Sequence, residues 1–144
     1  MGNSYDDKRV YDMRTITSGP RTYYRSERAD NGEISEIRVE PDRKGNARMA
    51  VTTHTPDGTA TLREALGQAG IEYSDAPSVP IAHDLAMTPP HKATRIEKAE
   101  DMGKTLKTLQ DAGFLGEGSA ETIRSDMPRA LQSATQSFLG RTGG

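Results

Sequence analysis

The 144-residue sequence predicts an α+β fold: an antiparallel meander of about four strands in the N-terminal third, followed by two to four helices packed on one face. Two observations carry this expectation. Side-chain character alternates with a period of two up to His54, then recurs at three- and four-residue spacing after Pro56-Asp57-Gly58. Turn-forming residues separate the early segments by only a few positions, and short links between sequential strands favour antiparallel neighbours.

Val10 to Ile16 is rich in β-forming residues and stops at Ser18-Gly19-Pro20, a turn signal. Thr22 to Ser26 reads as the second strand. Asp30-Asn31-Gly32 follows, and Asn-Gly is the dipeptide that best tolerates a tight hairpin. In the third strand, Ile34 to Glu40, the alternation sets Ser35, Ile37 and Val39 against Glu36, Arg38 and Glu40. Pro41 ends it and Lys44-Gly45-Asn46 turns the chain. Ala47 to His54 then places Met49 and Val51 on one side, with Arg48 and Thr52 on the other.

Leu62, Ala65, Leu66 and Ala69 line a short helix that ends in Gly70-Ile71, a glycine and apolar residue suited to a C-terminal cap. The same ending recurs at Gly113-Phe114. Four prolines between Ile71 and His91 predict a loop, within which Glu72-Tyr73 could add a short strand. Thr94-Arg95-Ile96-Glu97 fits a capping box at a helix start, with Ala99, Met102, Leu106 and Leu109 as the apolar stripe. Ser119 is placed to cap a last helix carrying Ile123, Met127, Leu131, Ala134 and Phe138, which Pro128 must kink or restart. The expected organisation is a flexible N-terminus over 1–8, a single domain over 9–139 and a flexible tail over 140–144. Within the domain lie strands over 9–54, a helix over 60–70, a Pro-rich loop over 72–92 and helices over 95–139.

Leu, Ile, Val and Phe supply only 21 residues, below the roughly 20% at which a chain has enough apolar surface to bury. A partner, self-association into a homodimer, or disordered ends would each relieve that shortage. The Met residues at 49, 87, 102 and 127 are adaptable packers expected in the core. Cysteine is absent, which excludes disulfides, thiolate metal sites and cysteine nucleophiles. No apolar run is long enough to span a bilayer, and Met1 to Lys8 lacks a secretory signal's pattern, so the expectation is a soluble, cytoplasmic protein without membrane partners.

No catalytic or metal-binding constellation is legible. His54, His83 and His91 lack metal-ligand spacing, and His83-Asp84 are chain neighbours that point apart in most backbone conformations. Gly103-Lys104-Thr105 resembles the end of a phosphate loop but falls inside an expected helix, without the upstream glycine. Gly116-Glu117-Gly118-Ser119 lacks the strand that precedes a nucleophile elbow. Glu100-Asp101 and Asp6-Asp7 read as solvated acidic pairs. No cofactor or metal is therefore expected, and catalysis would have to be built from Arg, Tyr, Glu and His without a motif.

One pattern does carry chemistry. The formal net charge is -2, yet eight of the ten basic residues before Thr53 are arginine. An ideal second strand puts Arg21, Tyr23 and Arg25 on one face, and Arg38 and Arg48 occupy the polar sides of the next two strands. Guanidinium forks beside phenol rings suit a protein partner, since Arg and Tyr are enriched at interface centres. Nucleic acid or a nucleotide is the second partner class, through phosphate pairing and base stacking. An ordinary sheet face cross-linked by Glu27, Glu36 and Glu40 is the alternative. The leading expectation is a non-enzymatic binding protein, an adaptor, regulator or inhibitor, that acts through Arg21, Tyr23, Arg25, Arg38 and Arg48.

Overall fold

The computed structural model describes residues 13–26, 34–53, 55–76 and 92–143. The expected segments 1–8, the Asn31-Gly32 turn, all three histidines, Glu27, Met87 and the prolines of 77–91 lie outside the described residues, as does the side chain of Phe138.

β1 (Met13–Ser18) and β2 (Arg21–Ser26) form a hairpin in which Ser18 faces Arg21 across Gly19-Pro20, with Gly19 at φ 61°. β3 (Ile34–Pro41) pairs antiparallel with β2, and β4 (Ala47–Thr53) pairs antiparallel with β3. Asp42 makes the β3–β4 turn, its Oδ1 accepting from the backbone N–H groups of Lys44 and Asn46 at 2.8 and 2.9 Å. These are the four strands of the expected meander.

Sequence alternation alone would put Ile34 beside Glu36, on the charged side. The register instead shifts between Ile34 and Glu36, so that Ile34 faces Thr53 while Glu36 faces Thr52. This bulge inserts one residue and returns Ile34 to the apolar face, where it is buried with Ile37 and Val39.

α1 (Pro56–Gln68) begins earlier than the expected residue 60 because Thr55 caps it, its Oγ1 accepting from the N–H of Gly58 at 2.9 Å, with Pro56 in the first turn. The helix ends as expected. Gly70 has φ 75°; its N–H donates to the Gly67 carbonyl and the Ile71 N–H to the Leu66 carbonyl, the paired bonds of a Schellman cap. Gly113, at φ 85°, repeats them through Gln110 and, from Phe114, Leu109.

The sheet is larger than the meander. Within the span expected to be a loop lie β5 (Ser74–Ala76) and, at its end, β6 (Lys92–Ile96), giving six antiparallel strands among the described residues in the order β1-β2-β3-β4-β6-β5. The capping box at Thr94 is therefore not formed. β6 pairs with the free side of β4, from Met49 opposite Ile96 to Thr53 opposite Lys92, and such pairing overrides a local cap. α2 (Ala99–Asp111) starts after Lys98 with no side-chain cap, and Asp101, expected to be solvated, is buried in its first turn with Lys104 Nζ at 3.8 Å. α3 (Glu117–Gly143) starts before Ser119, which sits inside the helix. It continues through Pro128 as one element and past Gly140, where the sequence suggested an end.

The three described helices pack on one side of the sheet. Tyr24, Ile37, Val39, Met49, Val51 and Ile96 from the strands meet Leu62 and Leu66 of α1, Met102, Leu106 and Leu109 of α2, and Ile123 and Met127 of α3 in one apolar core. Ala120, Ala130 and Ala134 fill out the α3 stripe in place of larger residues, and Leu131 is only half-buried. A polar clamp fixes α3 to β2. Asp126 takes two bonds from Arg129, at 2.7 and 2.8 Å, and a third from the Tyr24 hydroxyl at 2.7 Å, while Arg129 Nη2 reaches Thr22 Oγ1 at 3.2 Å. Arg129 holds the Asp126 carboxyl below the usual aspartate range. Burial, reinforced by Asp126, pushes the Tyr24 phenol well up, so it remains a donor. No described helix is long and apolar enough to cross a membrane.

Candidate functional site

The strand registers decide which side chains share the face opposite the helices. Arg25 faces Glu36, Tyr23 faces Arg38, and β4 continues the rows with Thr52, Ala50 and Arg48. All five residues singled out in the sequence, Arg21, Tyr23, Arg25, Arg38 and Arg48, thus fall on one face. Arg14 of β1 faces Arg25, and Arg95 of β6 faces Ala50, so both join them. Arg95 is not legible as a strand residue because Thr94 to Glu97 has the local pattern of a helix start. The β-branched Thr94 and Ile96, two apart and both buried, are the strand signal that competes with it.

The arginines are not isolated forks. Glu36 and Glu40 stand between them on β3, and the cross-strand ion pairs of an ordinary sheet face are present. Arg25 Nε donates to Glu36 Oε2 at 3.0 Å, and Arg48 Nε donates to Glu40 Oε2 at 3.2 Å. Arg38 Nε lies 3.1 Å from Glu40 Oε1 and its Nη1 3.7 Å from Glu36 Oε1, while Arg21 Nε is 3.5 Å from Glu40 Oε1. The Arg38 contact at 3.1 Å is an ion pair without hydrogen-bond alignment: Arg38 Nε, like Arg95 Nε, is buried and makes no hydrogen bond.

Among the described residues, two carboxylates, those of Glu36 and Glu40, stand among the arginines of this face. Four guanidinium groups surround them directly, and the described strands add Arg14 and Arg95 to the same face. Depth matters as well. The Glu36 and Glu40 side chains retain 6% and 10% of their exposure, against 51% for Arg21 and 23% for Arg48. Arg25 and Arg38, at 15% and 14%, lie nearly as deep as the carboxylates, so Arg21 and Arg48 are the more exposed of the four. The Arg25 guanidinium also sits 5.1 Å from the centroid of the Tyr23 ring, a cation–π distance that fixes both groups.

Among the described residues, two concavities border the sheet. One, of about 310 Å³, is lined by Met13, Thr15, Tyr24, Ser119 and Ile123 beneath the β1 edge. The other, of about 830 Å³, lies at the β3–β4 turn against α3, with Arg43, Lys44 and Arg48 offset by Asp42 and Glu97. Among the described residues no group of three His, Asp or Glu side chains is placed to hold a metal ion. Gly103, Lys104 and Thr105 lie within α2, as expected. Compared with protein-family models, with curated proteins and with solved structures, the chain matches none of them.

Proposed function

We propose that the chain is a non-enzymatic binding protein whose contact surface is the arginine face of its sheet, and that its partner is an acidic protein segment. The observation that carries this reading is the stoichiometry of the face among the described residues: four arginines share two glutamates, and Arg21 and Arg48 are the more exposed of them. Glu40 is shared by Arg21, Arg38 and Arg48, so a carboxylate supplied from outside would add a second acceptor at the exposed Arg21, and Arg forks donate to carboxylate in a bidentate geometry. The ion pairs within the face hold the arginines in place, which lowers the ordering cost of a contact. An acidic protein segment is favoured over nucleic acid because the whole chain carries net charge -2, which opposes the long, uniform charge of a polyanion more than a patch of a few carboxylates.

Arg21 is the residue to test, since it is the most exposed of the paired arginines and its replacement leaves the inner pairs intact. A polyglutamate peptide should bind, weaken roughly tenfold with Arg21→Glu, as expected for loss of about 1.4 kcal/mol, and weaken less with Arg21→Lys. A peptide that fails to bind, or binds both variants equally, overturns the reading. Retention of single-stranded oligonucleotide but not of polyglutamate would transfer the face to nucleic acid, and a steep salt slope would accompany it.

A further inference from the structure

Edge strands present unpaired backbone groups, and proteins that stay monomeric blunt them with short length, proline, lysine or a covering element. The sheet's two edges differ in this respect. β5 is three residues long, and its Asp75 is held by Arg63 Nη2 at 2.6 Å with Lys92 Nζ at 3.6 Å. β1 is six residues long, contains no proline or lysine, and is the one described strand without a single buried residue.

Among the described residues no strand pairs with the outer side of β1, and the hairpin geometry shows which of its backbone groups face that way. A two-residue loop makes Ser18–Arg21 a hydrogen-bonded pair, so Ile16–Tyr23 and Arg14–Arg25 are also hydrogen-bonded pairs. The N–H and C=O groups of Met13, Thr15 and Thr17 consequently point away from β2, along the outer edge.

We infer that this edge pairs with the β1 edge of a second copy of the chain, antiparallel and about a two-fold axis at Ile16, to make one continuous sheet across a homodimer. The sequence Met13-Arg14-Thr15-Ile16-Thr17-Ser18 is self-complementary in that register. Ile16, half-buried in one copy, meets its symmetry mate in a close, non-hydrogen-bonded pair. Thr15 meets the partner's Thr17 in a hydrogen-bonded pair that uses the outward donors and acceptors. Arg14, the strand's sole charge, falls opposite Ser18 rather than opposite itself. On the helix side, the cavity of about 310 Å³ lined by Met13 and Thr15 lies at this same edge, where a neighbouring strand would close it. The chain's small apolar supply is relieved by the same contact. A six-residue strand pair buries less than the roughly 1,200 Å² of a standard stable interface, so the association is weak and concentration-dependent.

Sedimentation equilibrium of the full chain from low micromolar to sub-millimolar concentration tests this. The expected result is a monomer–dimer equilibrium, shifted at least tenfold toward monomer by Thr17→Pro, which removes an outward N–H and leaves the β1–β2 bonds in place. Ile16→Glu and Ile16→Lys should each be monomeric alone, because like charges meet at the axis, and should associate when mixed. Circular dichroism checks that each variant is folded. A chain that sediments as a monomer throughout the range overturns the inference. So does a dimer that survives all three variants, or one that the mixture of Ile16 variants fails to restore.

Discussion

Tyr24→Phe isolates the clamp between β2 and α3 with little other disturbance. The ring is 1% exposed and keeps its shape, so no cavity is created and only the hydroxyl bond to Asp126 at 2.7 Å is lost. A hydrogen bond to a charged group contributes about 1.5–3 kcal/mol, and the lower end applies because Asp126 keeps both of its bonds to Arg129. The variant should therefore lose about 1.5 kcal/mol, read as a lower urea midpoint at unchanged slope. The loss should also depend on pH. Asp126 has a depressed carboxyl in the folded protein, so its contribution is complete above the unfolded aspartate value of about 3.9 and disappears as pH falls through the folded one. The gap between wild type and Tyr24→Phe should accordingly be full at pH 7 and narrow on acidification below about pH 3.9. A gap under about 0.3 kcal/mol at pH 7, or one that widens in acid, would refute the clamp as a source of stability.

Glu40→Gln should destabilise the protein by about 3 kcal/mol in urea melts, because it leaves Arg21, Arg38 and Arg48 around a buried position without their shared charge. Arg21→Ala, at the exposed rim of the same cluster, should cost less than about 1 kcal/mol. Equal losses in the two variants would contradict the difference in depth between Glu40 and Arg21. Gly70→Ala and Gly113→Ala should each cost about 1 kcal/mol through backbone strain alone, since positive φ is unfavourable for alanine while nothing lies within 4 Å of the added methyl. Thermal denaturation would report each as a drop of several degrees.

Those two glycines were legible in the sequence because a Schellman cap is a local motif, set by one residue that can adopt positive φ and the apolar residue after it. The meander and the grouping of Arg21, Tyr23, Arg25, Arg38 and Arg48 were legible for a similar reason, as period-two alternation and turn chemistry operate within a few residues. β6 was not. Lys92 to Ile96 has a helix-start pattern locally, and it becomes a strand through hydrogen bonds to β4, some forty residues earlier in the chain. Losing β6 also meant losing Arg95 from the face. The burial of Glu36 and Glu40 among the arginines likewise depends on three strands packing side by side, and the bulge that returns Ile34 to the core is a register event invisible to alternation. The cap at Thr55 is masked in the sequence by the strong turn chemistry of Pro56-Asp57-Gly58, although proline suits the first helical turn.

The placement of β6 beside β4 has a consequence for how the polypeptide can be divided. β4 has six of its seven residues buried and receives one neighbour from the preceding hairpin, but its other neighbour arrives only when Lys92 to Ile96 has been made. A fragment released after Thr53 would bear a bare, largely apolar margin, with Met49 and Val51 uncovered because every described helix lies downstream. The natural-looking cut between the β-rich and α-rich halves is thus the wrong one. Expression of the first half alone should yield insoluble material, whereas biosynthesis of the whole chain must shelter that margin until the C-terminal half emerges.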